Sequence, residues 1–196
     1  VGASSTPGEY LMPRLAVEFA AEYPEVSLDV HIGDTKETLA ALLRRKIEVA
    51  VVGREIDSPR VDSTVIEEDE LVPAAAISQC SGAVEVGLAA LKDRPFIMRE
   101  RGSATREIVE DRLSAAGVEP RVAMELGSNA AVAGAIATGA GIGILPARSL
   151  ESQDLIGRLP IRGLKLRRPF VMLVEKGRPL SPAAAAFTAL CLRKDV

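Results

Sequence analysis

PEVSLDVHIGDTKETLAALLRRKIEVAVVG, residues 24–53, decides the fold class. Pro24 halts whatever precedes it. Val26, Leu28, Val30 and Ile32 then alternate with Ser27, Asp29 and His31, the period of a half-buried strand. Gly33 turns the chain, and Asp34-Thr35-Lys36-Glu37 supplies an N-cap with a Glu three residues later, a capping box. Leu39, Leu42 and Leu43 form a helical stripe that ends in Arg44, Arg45 and Lys46, charges suited to the negative end of a helix dipole. Val49 to Val52 reads as a short buried strand. Strand, helix and strand at this spacing make a βαβ unit, which calls for a parallel sheet with right-handed crossovers. The fold class is α/β.

Upstream, Val1 opens on what reads as the end of a strand, so a preceding segment is expected. Thr6-Pro7-Gly8-Glu9 offers an N-cap, a Pro at the first helical position and a capping-box Glu, and Leu11, Leu15 and Phe19 recur at helical spacing. One helix is expected from about Pro7 to Glu22. Downstream, Val61 to Ile77 is β-prone but broken by Glu67-Glu68-Asp69-Glu70, which reads as a solvated connector. It is too long for one ordinary strand and is expected to cross from one lobe to another. A second α/β series follows: a short helix at Leu88 to Lys92, a strand at Phe96 to Met98, and a helix after Ser103 that ends at Gly117. A strand at Val122 to Leu126, a helix of small residues at Asn129 to Thr138 and a strand at Ile142 to Leu145 complete it. Phe170 to Val174 reads as a buried strand, and Ser181-Pro182 starts a last helix through Ala184, Phe187 and Leu190. The expected organisation is a first subdomain of residues 1–70 and 164–196 around a second of residues 71–163. Extended segments near 61–77 and 160–174 are the candidate connections between the two series; two connections make a hinge, and such lobes bury a ligand in the crevice beyond the carboxyl ends of their strands.

A formal net charge of −3 argues against a chain that grips duplex phosphates by itself. Cys80, Cys191 and the single His31 have no metal-ligand spacing, so neither a zinc site nor a disulfide framework is expected, and no cofactor. With no secretory n-region and h-region and no run of 18 apolar residues, the expected compartment is the cytoplasm, away from membranes. No G-x-S-x-G, phosphate-loop or H-E-x-x-H motif occurs, and one His leaves the usual general base scarce. Gly139-Ala140-Gly141-Ile142-Gly143 is not a dinucleotide fingerprint: it follows a helix and precedes a strand, the reverse order, and reads as a helix end with close strand packing.

Three turns carry the remaining chemistry. Ser4-Ser5-Thr6, Gly102-Ser103-Ala104-Thr105 and Gly127-Ser128-Asn129 put hydroxyls and an amide where strands hand over to helices. Helix starts expose unpaired N–H groups and positive partial charge, so hydroxyls gathered there suit an oxyanion. A lone cap needs one hydroxyl, and these turns supply more. Arg99 and Arg106 flank the second turn. A cation in the first turn of a helix is misplaced without an anion nearby, so Arg99 or Arg106 is expected to contribute charge to the ligand.

Gly2-Ala3-Ser4-Ser5-Thr6 with Tyr10-Leu11-Met12-Pro13, then Phe19 with Tyr23-Pro24, and Gly139 to Pro146 resemble the effector-binding domain of LysR-type bacterial transcriptional regulators over nearly the whole chain. Arg99 to Glu107 and Glu125-Leu126-Gly127-Ser128-Asn129 are similar, more narrowly, to the branch that regulates carbon-dioxide fixation and sulfur assimilation. The resemblance implies two Rossmann-like subdomains of the type II periplasmic-binding-protein kind, joined by two crossover strands. It implies effector contacts at Ser4, Ser5, Thr6, Ser103, Thr105, Ser128 and Asn129, with Gly102 in the second turn, and a homodimer. It also implies an N-terminal winged helix-turn-helix that these residues do not include, so DNA would be reached only through that domain. The expected function is an effector-sensing domain that closes on a small carboxylate, phosphate or sulfur oxyanion and switches a DNA-bound oligomer. A transporter's solute-binding protein is the alternative, and an enzyme on the same architecture a further one.

Overall fold

The computed structural model describes residues 1–80, 85–151 and 153–193. The chain divides into two compact units, residues 1–68 with 169–196, and residues 69–168. The sequence reading put the divisions at 70/71 and 163/164. Of the return segment 164–196, the last three residues lie outside the described ones.

The first unit begins with β1 (Gly2–Ser4), α1 (Ser5–Tyr10), α2 (Met12–Glu22), β2 (His31–Gly33), α3 (Thr35–Leu43), β3 (Val49–Val52) and β4 (Val61–Ala76). β1 is central, parallel to β2 on one side and β3 on the other. The single helix expected over 7–22 is two helices that meet at Leu11. Pro13, in the first turn of α2, has no N–H to continue the ladder, so the helix re-starts there. Nor does Thr6 cap: the helix starts at Ser5, with Ser4 at the N-cap. The strand expected over 26–32 shrinks to His31–Gly33, because β1 is three residues long and offers pairing partners to those residues alone. Val26, Leu28 and Val30 still pack against the core. The capping box at Asp34 forms as expected, with the Glu37 amide donating to Asp34 Oδ1 at 2.7 Å. β4 is one strand of 16 residues and passes from the first unit to the second between Glu68 and Asp69.

The second unit continues with α4 (Ile77–Cys80), β5 (Val86–Gly87), a 3-10 turn over Leu88–Leu91, β6 (Pro95–Arg99), α5 (Ala104–Ala115) and β7 (Arg121–Leu126). α6 (Asn129–Ala137), β8 (Gly143–Pro146), α7 (Arg148–Glu151), β9 (Ile156–Arg158) and β10 (Ile161–Arg162) follow. β8 and β9 pair antiparallel with β4, β6 runs parallel to β7, and β10 runs parallel to β5. The chain returns to the first unit through β11 (Leu166–Glu175), antiparallel to β3, and ends in α8 (Pro182–Cys191). Ser181 caps α8 by accepting from the Ala184 amide.

Each unit has its own core. In the first, Leu11, Leu15, Phe19, Phe170 and Phe187 are buried together, with the Phe19 and Phe187 rings edge to face at 5.5 Å. In the second, Phe96, Met98, Val109, Leu113 and Ile144 pack as one cluster. Cys191 lies in the first core, where burial pushes its thiol up to about 12. The folded chain therefore holds this proton more tightly than the unfolded chain, and the associated stability is full below pH 9.0 and is lost as pH rises toward about 12. Alkylation of the native chain at about pH 8.5 is expected to spare Cys191, since the thiolate is the nucleophile. Peptide mapping that found Cys191 modified without denaturant would contradict this.

Candidate functional site

In the first unit, three parallel strands end beside one turn. Ser4 closes β1 in extended conformation, is 5 % exposed and makes no capping bond. Its oxygen instead accepts the N–H of Gly53, just past β3, at 3.1 Å. Ser5 Oγ donates to the Gly33 carbonyl at the end of β2, at 3.3 Å, and Thr6 is buried beside them. The carboxyl ends of β1, β2 and β3 are thus tied together by the hydroxyls that the sequence singles out.

The second unit repeats the design at β6 and β7. Arg99 ends β6 with its side chain 3 % exposed, and its Nη1 donates to Asn129 Oδ1 at the start of α6, at 2.8 Å. Its Nε and Nη2 both bind Glu100 at 2.8 Å. Arg106, in the first turn of α5, reaches back to the Arg99 carbonyl at 3.0 Å and pairs with Glu110 at 2.7 Å and Glu125 at 2.5 Å. Its hydrogen bond holds the Glu125 carboxyl below the usual carboxylate range. The cation in the first turn of α5 therefore has its anions inside the chain, and these contacts draw the starts of α5 and α6 together. Gly102 has a φ of +93°, the left-handed region that suits glycine. Ser128 caps α6, its oxygen accepting from the Ala131 amide at 3.1 Å. Ser103, at the N-cap of α5, is 7 % exposed and makes no capping bond.

Thr105 leads to a feature absent from the sequence reading. Its Oγ1 accepts from Arg168 Nη1 at 2.7 Å, while Arg168 Nε and Nη2 both bind Asp69 Oδ2, at 2.8 and 2.7 Å. The side chains of Arg168 and Asp69 are each 1 % exposed. The run Glu67 to Glu70 is therefore not a uniform solvated connector: Asp69 is buried between exposed Glu68 and Glu70. Strand parity carries the signal that finds the pair. Arg168 falls on the same face of β11 as Leu166 and Phe170, and Asp69 on the same face of β4 as Leu71, all buried. Among the described residues, no group of three or more His, Cys, Asp or Glu is placed to hold a metal ion, and no helix is long and apolar enough to cross a membrane.

Two α/β units whose strand-to-helix turns carry buried hydroxyls define a small-ligand-binding domain of the effector-sensing class. The chain belongs to the LysR substrate-binding domain family, whose model matches residues 1–195. It is 31 % identical to the transcriptional regulator CysL of Bacillus subtilis over 86 % of this chain and 58 % of that protein. It is 31 % identical to the RuBisCO operon transcriptional regulator of Acidithiobacillus ferrooxidans over 91 % of this chain and 59 % of that protein. The regulatory domain of Synechocystis PCC6803 CcmR in complex with 2-PG superposes with a TM-score of 0.89 at 27 % identity, covering 97 % of this chain and 94 % of that one. These proteins are regulators and not enzymes, and they bear out the resemblance to the carbon-dioxide-fixation and sulfur-assimilation branch and the α/β effector-domain fold. They support the sensing reading over the solute-binding and enzyme alternatives. The chain spans about three-fifths of the length of these two regulators.

Proposed function

We propose that this chain is the effector-sensing part of a LysR-type transcriptional regulator and that its effector is a small anion: a carboxylate, a phosphate or a sulfur oxyanion. The observation that carries the anionic class is the contrast among N-caps. Asp34, Ser128 and Ser181 accept an amide of their own helix, whereas Ser103, buried at the start of the 12-residue α5, does not. Uncapped amides beside a buried hydroxyl are donors left over for a ligand. Ser4, Ser5, Thr6, Gly102, Ser103, Thr105, Ser128 and Asn129 are the proposed contacts, with Arg99 and Arg106 bracing the turns through their bonds to Asn129, Glu110 and Glu125. The effector switches the regulator only through differential affinity for two states of the chain, because equal affinity shifts nothing.

Calorimetry with 2-PG, inorganic sulfate and inorganic phosphate tests the anion. At least one is expected to bind, and Ser103→Ala and Thr105→Ala are each expected to weaken it by about tenfold, the worth of one hydrogen bond to a charged group. Unchanged affinity in both variants would exclude the start of α5.

The proposed compartment is the cytoplasm, with DNA contact made by the part of the regulator outside this chain. The proposed assembly is a homodimer, and β7 supports it: this edge strand exposes Val122 at 43 % and Met124 at 41 % on one face, a template for another chain. Met124→Lys is expected to shift the sedimentation coefficient toward the monomer without lowering the melting temperature. A wild-type chain that sediments as a monomer at about 100 µM, far above the Kd of a stable interface, would overturn this assembly.

A further inference from the structure

Three turns meet beyond the amino ends of β2 and β3, at the opposite end of these strands from the Ser4 turn. Arg44, Arg45 and Lys46 follow α3, Arg60 precedes β4, and Lys176 and Arg178 follow β11. The turns are tied to one another: Arg60 Nη2 donates to the Leu43 carbonyl at 3.4 Å, and the Lys176 N–H donates to the Arg60 carbonyl at 2.9 Å. The negative end of a helix amounts to about half an elementary charge, so α3 calls for one cation there and not for the rest. In a chain whose net charge is −3, positive charge gathered in this way has some other cause.

The carboxylates beside these cations are already committed. Glu175 faces three guanidinium groups, with Arg45 Nε at 3.2 Å, Arg60 Nη2 at 3.6 Å and Arg178 Nη1 at 3.8 Å. Only the first of these is a hydrogen bond. Glu48 gives one oxygen to the Ser181 N–H at 2.9 Å and the other to the Ser181 hydroxyl at 2.8 Å, and these bonds hold its carboxyl below the usual carboxylate range. Arg178 Nη1 is left buried with no hydrogen-bond partner, and among the described residues it is the one buried side-chain nitrogen or oxygen so placed. A charged donor left unmatched is costly, and an oxyanion is the group that offsets the cost. Arg44, Lys46 and Lys176 pair with no carboxylate among the described residues.

The Arg178 side chain as a whole is 23 % exposed, and with Arg45, Lys46 and Ser181 it lines a cavity of about 380 Å3. Phe19, Val26, Leu28 and Phe187 give the same cavity an apolar wall. Such a volume suits a small molecule, and a few charged donors beside apolar side chains define what kind. We infer that this cavity is a second ligand site, which takes a small anion with an apolar body, an aryl or alkyl phosphate or carboxylate. Arg45, Lys46 and Arg178 hold its charged end, and the aromatic and aliphatic wall covers its body. Asp29 and Glu48 also line the cavity, so an inorganic anion meets their charge without any apolar burial to set against it. The site belongs to the first unit alone and stands apart from the start of α5 in the second, so it holds or fails independently of the proposed effector contacts there.

The test is calorimetry with amide chemical-shift mapping on the 196-residue chain, using phenyl phosphate, inorganic phosphate and phenol. Phenyl phosphate is expected to bind about tenfold or more tightly than either of the others, since it alone has both the charge and the ring. Its shifts are expected at amides 45–48 and 178–184. Arg178→Met is expected to weaken it by about tenfold, the worth of a hydrogen bond from a charged donor. Lys46→Gln, at an exposed position, is expected to weaken it by about threefold with no change in melting temperature. Ala183→Phe places a ring in the cavity from the first turn of α8 and leaves every charge in place, and it is expected to abolish binding. Equal affinities for phenyl phosphate and inorganic phosphate would mean a solvated basic corner and overturn the site, as would unchanged binding in Ala183→Phe or no binding to the wild type. Shifts confined to 102–106 and 127–131 would overturn it while upholding the effector contacts at α5 and α6.

Discussion

Arg168→Ala is expected to lower stability by about 3–5 kcal/mol, because it strips the cation from a carboxylate that the fold keeps out of water. The Asp69 and Arg168 side chains are each 1 % exposed, and three guanidinium nitrogens are engaged by Asp69 and Thr105. Removing the cation leaves Asp69 to ionise in an apolar setting or to take up a proton, and either outcome favours the unfolded chain. For a chain of this length, the loss corresponds to a melting temperature lower by about 10 °C. Replacing both partners by apolar residues is expected to recover most of it, to within about 1 kcal/mol of wild type, since no charge is then stranded. Urea melts of the single and double variants decide the matter. Equal destabilisation of the two would mean that lost packing, and not a stranded charge, dominates.

Gly141→Ala is expected to cost about 3 kcal/mol although it adds a single carbon. A β-carbon at 141 would run into the carbonyl oxygen of Pro95, which already accepts the Ile142 N–H at 2.9 Å. The Ile142 carbonyl in turn accepts from Ile97 at 2.8 Å, the bridge that joins the approach to β8 with β6. Gly143 has the same constraint, its β-carbon falling 2.9 Å from the Ile97 carbonyl. Backbone meets backbone here, and no side-chain rotation relieves the clash. β6 would have to shift, and with it Arg99 and the starts of α5 and α6. Gly134→Ala is the control: it lies in α6 with no atom within 4 Å of the added carbon, so it is expected to stabilise by up to about 1 kcal/mol. Thermal melts of the two variants with opposite signs are the expected result, and a neutral Gly141→Ala would contradict the close approach.

The glycine segment shows how far a local pattern reaches. Gly139 ends α6 at a φ of +79°, and Gly141 and Gly143 admit a neighbouring strand, the reading that order and spacing alone suggested. The capping box at Asp34, the strand at Val49–Val52 and the last helix from Ser181 were equally legible, because each is set by residues within one or two turns of chain. The break at Leu11 was also within reach, since Pro13 removes a donor wherever it sits. The missing strand over 26–30 was not, because alternation marks a face to be buried, whereas a strand also needs a partner of matching length.

At the candidate site the division is sharper. Composition and turn chemistry located the hydroxyls at Ser4, Ser103, Thr105 and Ser128, since hydroxyl-bearing residues favour helix starts for local reasons. What each hydroxyl does was decided elsewhere in the chain: Gly53 claims the oxygen of Ser4, and Arg168, 63 residues away, claims that of Thr105. Arg99 and Arg106 looked like charge available to a ligand until Glu100, Glu110 and Glu125 were seen beside them. The sequence by itself determined the α/β class, the two series of strands and helices and the family, because periodicity, caps and turns are short-range. Only the tertiary structure decided which polar groups are already satisfied, because a buried donor takes whichever acceptor the fold brings within about 3 Å, at any separation along the chain.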